Sequence, residues 1–293
     1  MKTRLNWPLE ASQTAYGAGF NWNQAGSNLC LDLHGNPLTA QLVVFSDGNH
    51  HMALEACCQH FLQQHPDIKD IFYATTPPRV ILESVLKGGV TLGNLHINVL
   101  PHIFISPENI LDNLVDKNQI KSHQAFARSS GNVLLVKKGN PKSITGVADL
   151  LRDDVRLTIS NPVTEAASYS VYKETLLNVA SEQALDVNAF KDLIDKDSTQ
   201  AVFGESIHHR EVPQTIYEDS ADVAIVYYHL ALRYTRIFPD SFELIEINTN
   251  KHVTTDYHIG LLNEPGKWGQ QFLDFMFSDK AIALYKEHGL TKV

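Results

Sequence analysis

From residue 40 to its last residues the chain alternates short apolar runs with stretches whose apolar residues recur every three to four positions. That alternation is satisfied by a layered α/β protein and by little else. Gln41–Ser46 (QLVVFS) reads as a buried strand, and residues 50–64 as a helix with Ala53, Leu54, Cys57, Phe61 and Leu62 on one face. Ile68–Ala74 is a second strand. Thr76-Pro77-Pro78 opens the next helix, with Thr76 as N-cap and proline in the first turn, and Gly88-Gly89 closes it. His102–Ser106 is a strand followed by a helix near 107–116. The pattern continues through strands at Asn132–Lys137, Arg156–Ser160, Asp222–Tyr227, Phe242–Ile247 and Asp256–Leu261. Helices are predicted at Val147–Leu151, 164–180, 265–277 and 279–288. Such repeated units predict mostly parallel sheets with crossover helices. Residues 1–39, rich in Asn, Gly and Gln, read as an irregular extension.

Composition narrows the function. The 293 residues carry a formal charge of −9 and are 43% hydrophobic, an ordinary share for a globular protein with one large or two modest domains. A net-acidic chain without a Lys/Arg run is a poor partner for nucleic acid, whose backbone demands clustered positive charge. No stretch approaches the ~20 apolar residues of a membrane-spanning helix. Cys30, Cys57 and Cys58 form neither a disulfide framework nor a zinc motif, and read as small buried hydrophobes. The first residues, MKTRLNWPLE, lack the apolar core of a secretory signal. The expectation is therefore a cytoplasmic chain, or a periplasmic one whose signal has been removed. The 14 histidines are the one count out of line.

Six stretches, in order, resemble the type II periplasmic solute-binding family, especially its molybdate-binding branch. They are Val44–Leu54 (VFSDGNHHMAL), Pro101–Pro107 (PHIFISP), Ala125–Pro141 (AFARSSGNVLLVKKGNP), Arg156–Leu176 (RLTISNPVTEAASYSVYKETL), Ala221–Tyr227 (ADVAIVY) and Phe272–Leu290 (FLDFMFSDKAIALYKEHGL). The resemblance implies two α/β lobes joined by two crossover strands, with a ligand held in the cleft and trapped by hinge closure. Lobe one would be 1–127 plus 229–293, and lobe two 128–228. It also implies a non-catalytic binding protein that, if exported, delivers its solute to an ABC transporter permease.

The chemistry of such a cleft rests on helix N-termini, whose unpaired N–H groups and partial positive charge attract anions. Four helix starts qualify: Gly48–His51, Thr75–Arg79, Thr164–Ser168 and His208–Arg210, the last lying ahead of a helix that Pro213 helps to open. Taken singly, Asn49, Thr76 and Thr164 are no more than helix caps. The resemblance implies more for the set. Asn49 falls where molybdate binders place a ligand-contacting serine. Thr75 and Thr76 lie near the second contact loop, although Pro77-Pro78 departs from its small-residue pattern. Ala167 matches an alanine whose backbone N–H contacts the oxyanion, with Ser168 beside it; His209 falls near another backbone contact. Tyr227 matches a ligand-contacting tyrosine. Beyond that pattern, His50, His51, Arg79, His208, His209 and Arg210 stand at the same loops. They suggest a larger or more highly charged anion, such as a carboxylate or a phosphorylated metabolite, because arginine forks pair with these bidentately.

Two other classes compete. His51 and Glu55 stand four apart on one helical face, and with His102, His208 or His209 they could hold a transition metal or a metal chelate. An enzyme on the same fold is the third reading. It lacks support from any nucleophile elbow, P-loop or dinucleotide fingerprint, and no cofactor is called for.

Overall fold

The computed structural model describes residues 5, 7, 32–92, 95–195, 198–205 and 208–293. Cys30 and most of the predicted N-terminal extension lie outside them. In chain order the elements are β1 (Leu33–His34), β2 (Leu42–Ser46), α1 (His51–Gln64), β3 (Ile71–Thr75), α2 (Pro78–Lys87), β4 (Val90–Leu92), β5 (Leu95–Ile97), β6 (Ile103–Pro107), α3 (Glu108–Asp116), β7 (Ile120–Ser129) and β8 (Asn132–Lys137). A 3₁₀ turn (Val147–Leu151) follows, then β9 (Leu157–Ile159), α4 (Ala166–Glu182), α5 (Val187–Leu193), β10 (Ala201–Phe203), α6 (His208–Tyr217), β11 (Val223–Tyr227) and α7 (Tyr228–Ile237). The last elements are β12 (Phe242–Glu246), β13 (Asp256–Leu262), α8 (Gly266–Met276), α9 (Asp279–Glu287) and β14 (Leu290–Thr291).

The chain divides into two compact units. Ser129–Thr255 forms an inserted unit, joined by Leu5, whose N–H donates to Gln214 Oε1; a discontinuous unit comprises the residues up to Arg128 together with Asp256–Val293. This corrects the boundary expected at residue 228. β12 pairs along the whole of β8, from Phe242 beside Lys137 to Glu246 beside Val133, so residues 229–255 belong with the inserted unit. The crossings are tied down within each unit. Arg128 forms a bidentate pair with Asp256 in one, and the Ser129 N–H donates to the Thr255 carbonyl at 2.9 Å in the other.

The discontinuous unit is built on a seven-strand sheet ordered β1-β3-β2-β6-β13-β7-β14. β2 runs parallel to β3 and β6, which sets Ser46 beside Thr75 and Ile105 and brings three strand carboxyl ends to one edge. Leu42 and Val44 pack with Phe61, Tyr257, Phe272 and Tyr285, whereas Val43 and Phe45 pack with Phe72, Phe104 and Leu111 on the opposite face. Burial on both faces is why this strand reads as a continuous apolar run instead of an alternating one. Cys57 and Cys58 lie fully inside the first of these cores, where burial pushes both thiols up.

The inserted unit carries a five-strand sheet ordered β10-β9-β11-β8-β12. β9 is parallel to β10 and β11, whereas β8 is antiparallel to β11 and β12. Both sheets are therefore mixed, where mostly parallel ones were expected. Two helix starts also differ from expectation. α2 begins at Pro78 with Pro77 at the cap position, because a residue before proline is held extended; Thr76 does not cap it, while Gly88 ends it at φ 81°. α6 begins at His208, so Pro213 lies inside it. A proline there leaves the carbonyl four residues back without its helical donor. The Tyr234 hydroxyl supplies one, donating to His209 O at 2.8 Å.

Candidate functional site

In an open α/β sheet the loops at strand carboxyl ends carry binding groups. In the discontinuous unit that edge joins the ends of β2, β3 and β6. After β2, Asp47 is fully buried; its N–H donates to Ile105 O and its Oδ1 accepts from the Asn49 N–H at 2.9 Å. This Asx-type turn leaves Asn49 half-buried at the start of α1. His50 points into the core. Its Nε2 meets Ser46 Oγ at 3.1 Å, its Nδ1 meets the Tyr285 hydroxyl at 2.9 Å, and its ring leans on Tyr257. Burial pulls its pKa down to about 3. With both nitrogens engaged and the ring neutral, His50 is a structural core residue, which removes it from the ligand set. His51, also buried, donates from Nδ1 to the Gly48 carbonyl at 2.9 Å and stiffens the loop.

At the end of β3, Thr75 Oγ1 sits 2.9 Å from His34 Nε2 and 3.4 Å from Asp32 Oδ1, and its N–H donates to Asp32 O. Thr76 Oγ1 and, at the end of β6, Ser106 Oγ are buried and have no hydrogen-bond partner among the described residues. Arg79 is not part of this edge. Its side chain is 76% exposed and pairs with Glu83 one helical turn along α2. A helix's first turn fixes which way each side chain leaves, and Arg79 leaves toward solvent.

The inserted unit gathers its polar groups at the ends of β9 and β11. Ser160 Oγ and Ser168 Oγ are buried and 2.8 Å apart. Asn161 Oδ1 accepts from the N–H groups of Val163 and Thr164, so Glu165, not Thr164, occupies the cap position of α4. Glu165 Oε1 accepts the His208 N–H at 2.9 Å, fastening the start of α6 to the start of α4; burial raises this carboxyl and the nearby His209 opposes the rise. Ala167 is exposed in the first turn of α4, where N–H groups have no intrahelical acceptor. His208, His209 and Arg210 are all buried, and Arg210 is the only Lys or Arg in that class among the described residues. The His208 ring lies against Tyr172, burial pulls its pKa to about 3, and neither ring nitrogen has a hydrogen-bond partner among the described residues. Tyr227 ends β11: its hydroxyl meets Thr255 Oγ1 at 2.8 Å, its N–H donates to the Tyr172 hydroxyl, and its ring stacks on His229. Asn132, the register partner of Tyr227 on β8, leaves Oδ1 buried and unpartnered among the described residues.

The metal alternative fares poorly on this geometry. His102 precedes β6 and accepts the Val43 N–H at its amino end, whereas His51 and Glu55 follow the carboxyl end of the parallel β2. The two positions lie at opposite ends of one sheet. Among the described residues no group of three or more His, Cys, Asp or Glu side chains converges on a point that could hold a metal ion. Ser106, Asn132, Ser160 and Tyr172 escaped sequence reasoning. Ser106 closes a strand whose end position was the available signal, but Asn132 is exposed as a candidate only by its register with Tyr227.

The family model of the bacterial extracellular solute-binding proteins matches residues 42–291. The chain belongs to that family. No match is found among curated protein sequences. Solved structures of this solute-binding protein's fold include Peb3 from Campylobacter jejuni (16% identity, 86% of this chain and 100% of that one, TM-score 0.62), a protein also solved bound to L-phospholactate. The sulfate-binding protein SubI from Mycobacterium tuberculosis matches at 15% identity over 86% of each chain, with a TM-score of 0.65. The periplasmic molybdate-binding protein of Azotobacter vinelandii matches at 16% identity over 86% of this chain and 99% of that one, with a TM-score of 0.59. These likenesses establish the two-lobed type II solute-binding fold. No described helix is long and apolar enough to cross a membrane.

Proposed function

We propose that this solute-binding protein is non-catalytic and takes a small anion, either an oxyanion, a carboxylate or a phosphorylated metabolite, for delivery to an ABC transporter. The observation that carries the reading is the buried start of α6. There Arg210, His209 and His208, whose ring nitrogens have no hydrogen-bond partner among the described residues, gather at a strand carboxyl edge, with the Glu165 carboxylate on the His208 N–H. An imidazole buried with no hydrogen-bond partner among the described residues costs ~1–3 kcal/mol until something bonds to it. An anion accepting from its ring N–H meets that need, with the Arg210 guanidinium adding positive charge nearby. The Ala167 N–H and the Tyr227 hydroxyl are further donors in the inserted unit. Asn49, His51, Thr75, Thr76 and Ser168 complete the proposed set, and they supply hydroxyl and amide groups instead of charge. Peb3 with L-phospholactate, SubI with sulfate and the Azotobacter protein with molybdate are anion binders of the same fold, which adds an analogy to the chemical argument.

The test is a thermal-shift screen of molybdate, tungstate, sulfate, dicarboxylates, tricarboxylates and phosphorylated metabolites. A true ligand at a hundred times its Kd stabilises by about 2.7 kcal/mol. The reading requires a saturable rise in melting temperature with at least one anion. A screen in which no anion shifts the transition, whatever metals or neutral solutes do, contradicts it.

A further inference from the structure

One cavity of the discontinuous unit lies over strands that contribute nothing to the anion set proposed above. It measures about 430 Å³ and opens over β7 and β13, with Ser122, His123, Gln124 and Leu261 among its lining residues. His123 belongs to a second arrangement that no part of the proposed anion site uses. Its Nε2 meets Asp112 Oδ1 on α3 at 3.0 Å, and its Nδ1 meets the Nδ1 of His258 on β13 at 2.8 Å. The rings are inclined at 62°, with centroids 4.9 Å apart. His258 is nearly buried and His123 has an 11% exposed side chain, while Asp112 reaches solvent.

The hydrogen-bond inventory fixes the protons. An ionised Asp112 can only accept, so His123 carries its proton on Nε2 and presents a lone pair at Nδ1. The short Nδ1–Nδ1 contact then requires His258 to carry its proton on Nδ1. That single proton stands between two imidazole nitrogens that face each other from neighbouring strands, and modest rotations of the two rings would turn both lone pairs toward one ion. A carboxylate bonded to the far nitrogen of an imidazole is also the support that metal-ligating histidines use to fix tautomer and raise basicity. Two bonds of about 2.0 Å meeting at a right angle place their nitrogens about 2.8 Å apart, the separation seen here. A tetrahedral ion would spread them to about 3.3 Å.

We propose that His123 and His258 form a two-imidazole site for a divalent transition-metal ion of tetragonal preference, copper(II) or nickel(II), with Asp112 as the carboxylate behind His123. Binding displaces the Nδ1 proton of His258 to solvent, both nitrogens donate lone pairs to the ion, and water fills the remaining positions. No redox change is involved. Burial lowers the pKa of His258, with the charge of His123 acting in the same direction and Glu108, Asp256 and Asp112 opposing it. No third His, Cys, Asp or Glu joins the pair among the described residues, so the site is open and its affinity modest.

The experiment is a substoichiometric copper(II) titration of the full chain at pH 7.5 in a non-coordinating buffer, read by electron paramagnetic resonance. A stoichiometric tetragonal signal with hyperfine coupling to two imidazole nitrogens is expected. His123→Asn and His258→Asn should each abolish that signal while leaving the melting temperature of the metal-free protein within a few degrees. Asp112→Asn should weaken binding about 10–100-fold. An identical copper signal in the double variant H123N/H258N overturns the proposal, as does coupling to fewer than two nitrogens in the unaltered chain. Anion affinity, measured on the same variants without metal, is expected to be unchanged.

Discussion

The two units meet the same architectural demand with opposite electrostatics. At the strand edge of the discontinuous unit the fully enclosed charged groups are carboxylates, Asp32 and Asp47, held beside His34, Thr75 and the Asn49 turn. At the edge of the inserted unit Arg210 is enclosed next to two histidines, with the Glu165 carboxyl, raised by burial, bonded to the His208 N–H. One unit offers hydroxyls and turn amides, and the other offers positive charge. The difference teaches where the affinity of an anion binder built this way should reside: chiefly in the inserted unit, with the discontinuous unit contributing shape and hydrogen bonds.

The largest expected effect follows directly. Arg210→Gln should cost about 100-fold or more in anion affinity, the scale on which truncating one member of a buried charge pair operates. Circular dichroism would verify that the fold survives. Equal losses from R210Q and from substitutions at the discontinuous edge would break the comparison.

The histidines sharpen it next. His50 and His208 are both buried with pKa values near 3, against 6.5 in an unfolded chain. Below pH 6.5 the unfolded state binds protons that the native state refuses. Stability is therefore fully present above that pH and falls progressively as pH drops toward 3, by up to about 1.4 kcal/mol per pH unit for each residue. The two residues should part company at neutral pH. His50→Gln breaks bonds to Ser46 and Tyr285 and should lower the melting temperature of the ligand-free protein. His208→Phe removes an imidazole that bonds to no described residue, so the ligand-free protein should be as stable as before or more so, while anion affinity falls. Melting curves at pH 7.5 and pH 4.5 for both variants check this; H208F with weakened folding and unaltered affinity would mark His208 as a packing residue.

A smaller loss is expected at the other edge. Thr76→Ala removes one hydroxyl with no hydrogen-bond partner among the described residues, and should weaken binding about tenfold without destabilising the unit. Arg79→Ala should change affinity less than twofold, since its pair with Glu83 is a solvent-exposed one of the kind that contributes ~0–1 kcal/mol at most. Fluorescence or calorimetric titration distinguishes the two.

Much of the architecture is legible in the residues. β8 and the turn at Val147–Leu151 stand where an apolar run and a short helical period place them, because buried β-branched runs have few alternatives. β7 was not legible: Lys121, Ser122 and Gln124 are exposed, so its first half shows no burial period to read. β10 is only half-buried at an edge and was missed for the same reason. At the site, the starts of α1 and α4 can be read near Asn49 and Thr164, but not which way side chains leave them: Arg79 turns to solvent and His50 to the core. His123 and His258 lie 135 residues apart and meet only through the pairing of β7 with β13.

The central claim, an anion held chiefly by the buried start of α6, is tested most directly by isothermal titration calorimetry with the anion that most raises the melting temperature. The account predicts one site per chain in the unaltered protein, affinity at least about 100-fold weaker in R210Q, and affinity within twofold of the original in R79A. Undiminished binding by R210Q, or a loss in R79A that matches it, would contradict the account.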